Sequence, residues 1–224
     1  MFVKICGITS EEDALLAVAL GADALGFMFA PSPRQIAVDR ARDIARRLPA
    51  EVMTVGVFRD ELPDRVVEIV QRAGLRAAQL HGNESAEQTR DVRQRTGIVI
   101  KAFPAGHPGL GRIPDYGADI IHIEGDKPGS GELFDWRLAE DAPRAGHRVM
   151  LAGGLHPGNV ADGIRQVKPW GVDVSSGVER EPGRKDPVKM REFIDNARAA
   201  FEEIRPADPA DPDDSGLYDW QLDF

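Results

Sequence analysis

The stretch MTVGVFRDELPDRVVEIVQRAGLRAAQL, residues 53–80, decides the fold. It opens on an apolar run, Met53–Phe58, of the kind that makes a strand buried on both faces. Pro63–Ala73 follows, with Val66, Val67 and Val70 grouped at helical spacing. A second apolar run, Ala77–Leu80, completes a strand–helix–strand unit, whose two strands must lie parallel.

Outward from that unit the same alternation continues to both sides. Phe2–Cys6, Ala24–Phe29, Ile98–Phe103, Ile120–Glu124, Val149–Ala152 and Val172–Val174 read as further buried strands, which makes eight. Glu11–Leu20 puts Ala14, Leu15 and Val18 on one helical face, and Pro187–Ala199 does so with Val188, Met190, Phe193 and Ile194. The weakest pattern is Gly106–Tyr116, where only a short helix is expected. Eight βα units of roughly 26 residues each predict an α/β protein with a single (β/α)8 TIM barrel over residues 1–205. A doubly wound open sheet would also alternate strand and helix. Against it, no G-x-G-x-x-G follows the first strand, Gly129-Ser130-Gly131 lacks the third glycine, and no Walker A sequence is present.

The chain has 224 residues, 28 Lys+Arg against 37 Asp+Glu, and a formal charge of −9. Six of the excess negative charges are the Asp residues of 206–224, a Pro/Asp-rich tail without Lys or Arg. The tail ends on Leu217, Tyr218, Trp220, Leu222 and Phe224, which suit docking on the body or on a second subunit. The barrel is nearly balanced and carries no dense basic patch, so nucleic acid is not an expected partner. No apolar run is long enough to span a membrane, no signal peptide is expected at Met1–Gly7, and one cysteine cannot form an internal disulfide. A cytoplasmic protein, monomer or homodimer, acting on a small molecule is the resulting expectation.

In a barrel of this kind, chemistry sits where strands run into the following helices. Cys6 occupies such a strand end, and Lys4, two residues earlier, points to the same side. A lone cysteine is commonly a small buried hydrophobe, but a thiol at this position near positive charge can serve as a base. On the sixth strand, alternation turns Ile120, His122 and Glu124 inward together, and Asp173 holds a similar place on the eighth. An inward His–Glu pair is costly unless hydrogen-bonded or functional; a structural ion pair with Lys4 or Lys101 is the plainer reading. Arg34 follows Pro31-Ser32-Pro33, a stiff loop that would aim its guanidinium at a carboxylate or phosphate. Gly153-Gly154 and Ser175-Ser176-Gly177 supply the small residues and backbone N–H groups that cradle phosphate, though tight turns need the same residues. The five His residues show no metal-ligand spacing, so no metal is expected.

These residues resemble the phosphoribosylanthranilate isomerase family of tryptophan biosynthesis. The resemblance is carried by Val3-Lys4-Ile5-Cys6-Gly7-Ile8-Thr9, Gly26-Phe27-Met28-Phe29 with Ser32-Pro33-Arg34, and Val55-Gly56-Val57-Phe58. It continues through Gln79-Leu80-His81-Gly82-Asn83-Glu84, Gly129-Ser130-Gly131 with Phe134-Asp135-Trp136, and Leu151-Ala152-Gly153-Gly154-Leu155 with Asn159-Val160. It closes on Asp173-Val174-Ser175-Ser176-Gly177-Val178-Glu179 with Pro182-Gly183 and Lys185-Asp186, so that about residues 1–204 are covered.

The resemblance implies a cofactor-free Amadori rearrangement of N-(5′-phosphoribosyl)anthranilate to 1-(2-carboxyphenylamino)-1-deoxyribulose 5-phosphate. It implies Cys6 as general base, Arg34 holding the anthranilate carboxylate, His81 and Asp173 among the substrate contacts, and Gly153, Gly154, Ser175, Ser176 and Gly177 around the phosphate. The sixth strand departs from the family: Glu124 stands where an Asp is usual, His122 where an apolar residue is usual, and the loop to Gly129 is short. Glu124 and Asp126 are therefore both candidates for the general acid. Two other functions remain open on these residues. One is a diverged paralogue acting on another phosphorylated aminoaldose, and the other a non-catalytic binder of phosphorylated ligands that uses its tail for docking.

Overall fold

The computed structural model describes residues 1–125 and 134–204. Asp126, the glycines of 129–131 and the acidic tail therefore lie outside the described residues. The strands are β1 (Phe2–Cys6), β2 (Ala24–Met28), β3 (Met53–Phe58), β4 (Ala77–Leu80), β5 (Ile98–Pro104), β6 (Ile120–Glu124), β7 (Val149–Leu151) and β8 (Gly171–Val174). They pair in chain order, all parallel, and β8 returns to β1, closing the predicted barrel.

The helices are α1 (Glu11–Ala19), α2 (Val38–Ala45), α3 (Pro63–Ala73), α4 (Ala86–Arg95), α5 (Ile113–Tyr116), α6 (Asp141–Arg144), α7 (Val160–Val167) and α8 (Pro187–Ile204). In the deciding unit, Pro63 starts α3 with its preset φ, and Gly74 ends it at φ 66°, where a Cβ would be strained. Gly106–Tyr116 holds only a 3-10 turn, Pro108–Arg112, and the four-residue α5, because two prolines and three glycines leave no room for more. At the other extreme, α8 continues past Ala199 to Ile204, since Phe201 and Ile204 extend its apolar stripe onto the core.

Two apolar clusters hold the barrel. The larger lies between sheet and helices; the smaller fills the barrel interior with Phe2, Met53, Val55, Ile98, Ile100, Ile120 and Met150. Phe2 stacks on Trp170 at 4.5 Å between ring centroids and caps that interior. Each large side chain there contributes about 1.5–3 kcal/mol by burial. Along β1 the inward residues run Phe2, Lys4, Cys6, and along β6 they run Ile120, His122, Glu124. The interior thus changes from apolar at one end to ionisable at the other, and strand alternation alone produces this gradient. Register completes it, because Lys4 pairs across the closure with Asp173, and Cys6 lies opposite Gly26. A Cβ on Gly26 would stand 2.7 Å from the Cys6 sulfur and 3.1 Å from the Lys4 ammonium, so glycine makes space for both.

Lys101 pairs with neither Glu124 nor His122. Its buried ammonium, on β5, donates to Glu84 Oε2 at 2.9 Å and to the Gly82 carbonyl at 2.8 Å. Glu84 also accepts from the Asp60 and Gly82 amides, each at 2.9 Å, so one carboxylate ties the loop after β4 to the loop after β3. That loop carries His81. Lys101→Met leaves the carboxylate buried without its cation, and urea unfolding should show a loss of about 3–5 kcal/mol. A loss below about 1 kcal/mol would mean that the two amides satisfy Glu84 alone.

Candidate active site

The strand ends open on a cavity of about 280 Å³ lined by Cys6, Arg34, His81, Glu124, Asp173 and the two small-residue turns. Its floor is a buried polar chain. Lys4 Nζ donates to Asp173 Oδ1 at 3.0 Å, and His122 Nε2 lies 2.9 Å from Asp173 Oδ2. Both oxygens of Asp173 are thus taken, which makes it the holder of Lys4 and His122 more than a free substrate contact. Burial pushes the Asp173 carboxyl up, but the Lys4 charge and the His122 hydrogen bond overcome it and leave it well below the usual carboxylate range. Burial lowers His122 in spite of Asp173, so His122 is neutral, donates from Nε2, and leaves Nδ1 bare; no described group reaches that atom.

Cys6 sits above this chain. Burial raises its thiol above the ordinary value, and the nearby Lys4 and Lys185 charges offset only part of that rise. At neutral pH the resting group is the thiol. Burial opposes the charge on Lys4 too, but Asp173 and Cys6 together hold its ammonium above the ordinary lysine value.

Glu124 and His81 meet through Oε1 and Nε2 in a tight contact. Gln79 Nε2 donates to His81 Nδ1 at 3.1 Å, which places the ring proton on Nε2, facing Glu124. Burial would raise the Glu124 carboxyl, but the hydrogen bond from His81 and the neighbouring imidazoles bring it below its ordinary value. His81, expected among the substrate contacts, is thus also the partner of the candidate acid.

Arg34 is half-buried and its fork closes on Glu179, with Nε to Oε1 and Nη2 to Oε2 both at 2.8 Å. Glu179 also accepts from Lys185 Nζ at 3.0 Å, and Lys185 donates to the Ser175 carbonyl at 3.0 Å. Two short antiparallel strands, β9 (Glu179–Glu181) and β10 (Arg184–Lys185), bring these charges under the turn after β8. The stiff loop does aim the guanidinium inward, with Ser32 Oγ accepting from the Arg34 amide at 3.1 Å. Its resting partner is a carboxylate of the chain itself.

Of the five residues expected around phosphate, Gly153, Gly154, Ser175 and Ser176 line the cavity. Gly153 and Gly154 take φ of 80° and 68°, and a Cβ on Gly153 would meet the Gly125 amide at 2.8 Å. Gly177 does not line the cavity; a Cβ there would lie 1.9 Å from the Leu155 carbonyl, so this glycine locks the two turns together. The Ser175 hydroxyl is buried with no described partner, a donor free for an anion.

Sequence reasoning assigned no role to Glu179, Lys185 or Gln79. Glu179 meets Arg34 across 145 residues of chain, which no linear spacing marks, whereas Gln79 lies two residues before His81 and Lys185 six after Glu179, so their signal was the i, i+2 alternation and the short hairpin. It also placed no metal, and the fold gathers His81, His122 and Glu124 with one donor atom of each within 4.8 Å of the others.

The profile of the family described as "N-(5'phosphoribosyl)anthranilate (PRA) isomerase" matches residues 3–196. An N-(5′-phosphoribosyl)anthranilate isomerase of Desulforudis audaxviator is 51% identical over 206 residues, covering 89% of this chain and 98% of its own. The crystal structure of the phosphoribosyl anthranilate isomerase of Thermus thermophilus superposes with a TM-score of 0.83 at 43% identity, covering 89% of this chain and 99% of that one. A second such isomerase, solved in complex with reduced 1-(o-carboxyphenylamino)-1-deoxyribulose 5-phosphate, gives a TM-score of 0.80 at 40% identity with the same coverage.

Proposed function

The chain belongs to the N-(5′-phosphoribosyl)anthranilate isomerase family, and we propose that Cys6 is the general base and Glu124, paired with His81, the general acid of that isomerisation. The substrate is N-(5′-phosphoribosyl)anthranilate and the product 1-(2-carboxyphenylamino)-1-deoxyribulose 5-phosphate. The acid protonates the furanose ring oxygen as the C1′–O bond breaks, and the sugar opens to a Schiff base. Cys6 thiolate then takes the C2′ proton, giving an enolamine that tautomerises to the ketone. One observation carries this reading: Cys6 and Glu124 line a single cavity together with the glycine and serine turns. The base on β1 and the acid on β6 thus flank the turns after β7 and β8 that form the anion cradle.

The pair can donate only when it holds an extra proton, either on Glu124 or on both nitrogens of His81. The second form needs the Gln79 amide turned to present Oε1, an atom that now lacks a described partner. Lys4 stabilises the thiolate once it forms, and Asp173 keeps Lys4 in place.

Arg34 binds the anthranilate carboxylate through the guanidinium edge that Glu179 leaves open. Because that carboxylate does not change charge in the reaction, its contact stabilises substrate and transition state alike. Arg34→Lys should raise KM about tenfold or more while kcat changes much less, since a lysine loses the two-point fork. An unchanged KM would remove Arg34 from the binding site. The whole reading is tested by mixing the chain with N-(5′-phosphoribosyl)anthranilate and following aminoketose formation, and absence of conversion overturns it.

A further inference from the structure

We propose that His81, His122 and Glu124 form a binding site for a divalent transition metal of the zinc type, and that its occupancy blocks the isomerase. His122 and Glu124 lie two residues apart on β6, and His81 follows β4, so the barrel wall brings three donors to one side of the cavity. One donor atom of each is within 4.8 Å of the others. A tetrahedral ion with bonds of about 2.0 Å needs donors about 3.3 Å apart, a convergence that rotation of His81, the most exposed of the three, and of Glu124 toward the fixed His122 supplies.

Two orphaned atoms point to the ligand. His122 is 1% exposed, its Nε2 is fixed by Asp173, and its Nδ1 has no partner among the described residues. A carboxylate holding one ring nitrogen while the other binds metal is the usual outer-shell arrangement of a histidine ligand. Gln79 Oε1 is the second orphan. If the Gln79 amide turns, Oε1 accepts from His81 Nδ1–H and the Nε2 lone pair becomes available to the metal. A single binding event thus satisfies both buried atoms. Two imidazoles and one carboxylate suit zinc, iron(II) or cobalt(II), whereas magnesium and calcium prefer oxygen donors throughout. The cavity leaves a fourth position for water.

The binding stands on this cluster alone. The inhibition rests on the isomerase reading above, because the metal would occupy the pair that protonates the ring oxygen. The test is titration of the full, metal-free chain with cobalt(II), followed by its visible d–d absorption, with thermal unfolding to confirm that each variant is folded. About one equivalent should bind with an intense low-symmetry spectrum. His122→Leu and Glu124→Gln should each weaken binding about tenfold or more and remove that spectrum. His147→Gln, at a half-buried histidine just before β7 and away from the site, should change neither. Isomerisation should be full in chelator and fall at least about tenfold when zinc replaces it in slight excess over the chain. No stoichiometric spectrum overturns the site, as does a spectrum that persists in both His122→Leu and Glu124→Gln; either folded variant suffices to decide. A chain inactive even in chelator would instead overturn the isomerase reading, while the cobalt spectrum still decides the metal site.

Discussion

Cys6→Ala is expected to lower turnover by about a thousandfold while the affinity for a phosphorylated product analogue stays within about threefold of the native chain. The substitution removes the proposed base and leaves Gly153, Gly154, Ser175 and Ser176, the proposed phosphate cradle, as they are. Thermal unfolding of the variant separates any cost of removing a buried sulfur from the loss of turnover. Cys6→Ser is the stricter variant. It keeps the size and hydrogen-bonding of the side chain but replaces an ionisable thiol with a hydroxyl that does not ionise near neutral pH, so it should be nearly as slow. Near-native turnover in either variant would overturn the assignment of the base. In the proposed mechanism Lys4, which neighbours Cys6 and donates to Asp173 at 3.0 Å, sets the energy of the thiolate.

The residues 53–80 were enough to read the barrel because parallel strands buried on both faces leave an apolar signature, and because Pro63 and Gly74 punctuate α3 as helix ends require. Alternation likewise gave the inward set Lys4, Cys6, His122 and Glu124, since a strand has only two faces. It did not give their partners. Lys4 meets Asp173 across 169 residues of chain, and Arg34 meets Glu179 across 145. Those meetings follow from barrel closure and from the stagger between strands, which no local pattern encodes. Lys101 shows the limit most clearly: it is on the same sheet as Glu124, yet its buried ammonium serves the Glu84 carboxylate in the loop after β4. The short α5 is legible in another way, because the prolines and glycines that break a helix are local features.

Glu124→Gln should change the shape of the pH profile as well as its height. In the native chain the proposed base, Cys6, has a raised pKa and the proposed acid, Glu124, a lowered one, so the active form would pair a minority thiolate with a minority protonated acid. As pH rises, thiolate increases tenfold per unit and protonated acid decreases tenfold per unit, and their product is constant. kcat/KM should therefore be flat between about pH 7 and 9, a range in which a substrate phosphate with a second pKa of about 6 is already dianionic. Glutamine cannot donate the proton, so kcat/KM should drop by about 10²–10⁴. What remains depends on the thiolate alone and should climb about tenfold per pH unit over the same range. Glu124→Asp keeps a carboxyl but withdraws it by about 1.5 Å, so the profile should stay flat at reduced height. Asp126→Asn is the control, with a flat profile of native height expected. A sloped profile in Asp126→Asn, with a flat one in Glu124→Gln, would move the acid to Asp126 and leave the His81–Glu124 pair as a structural contact.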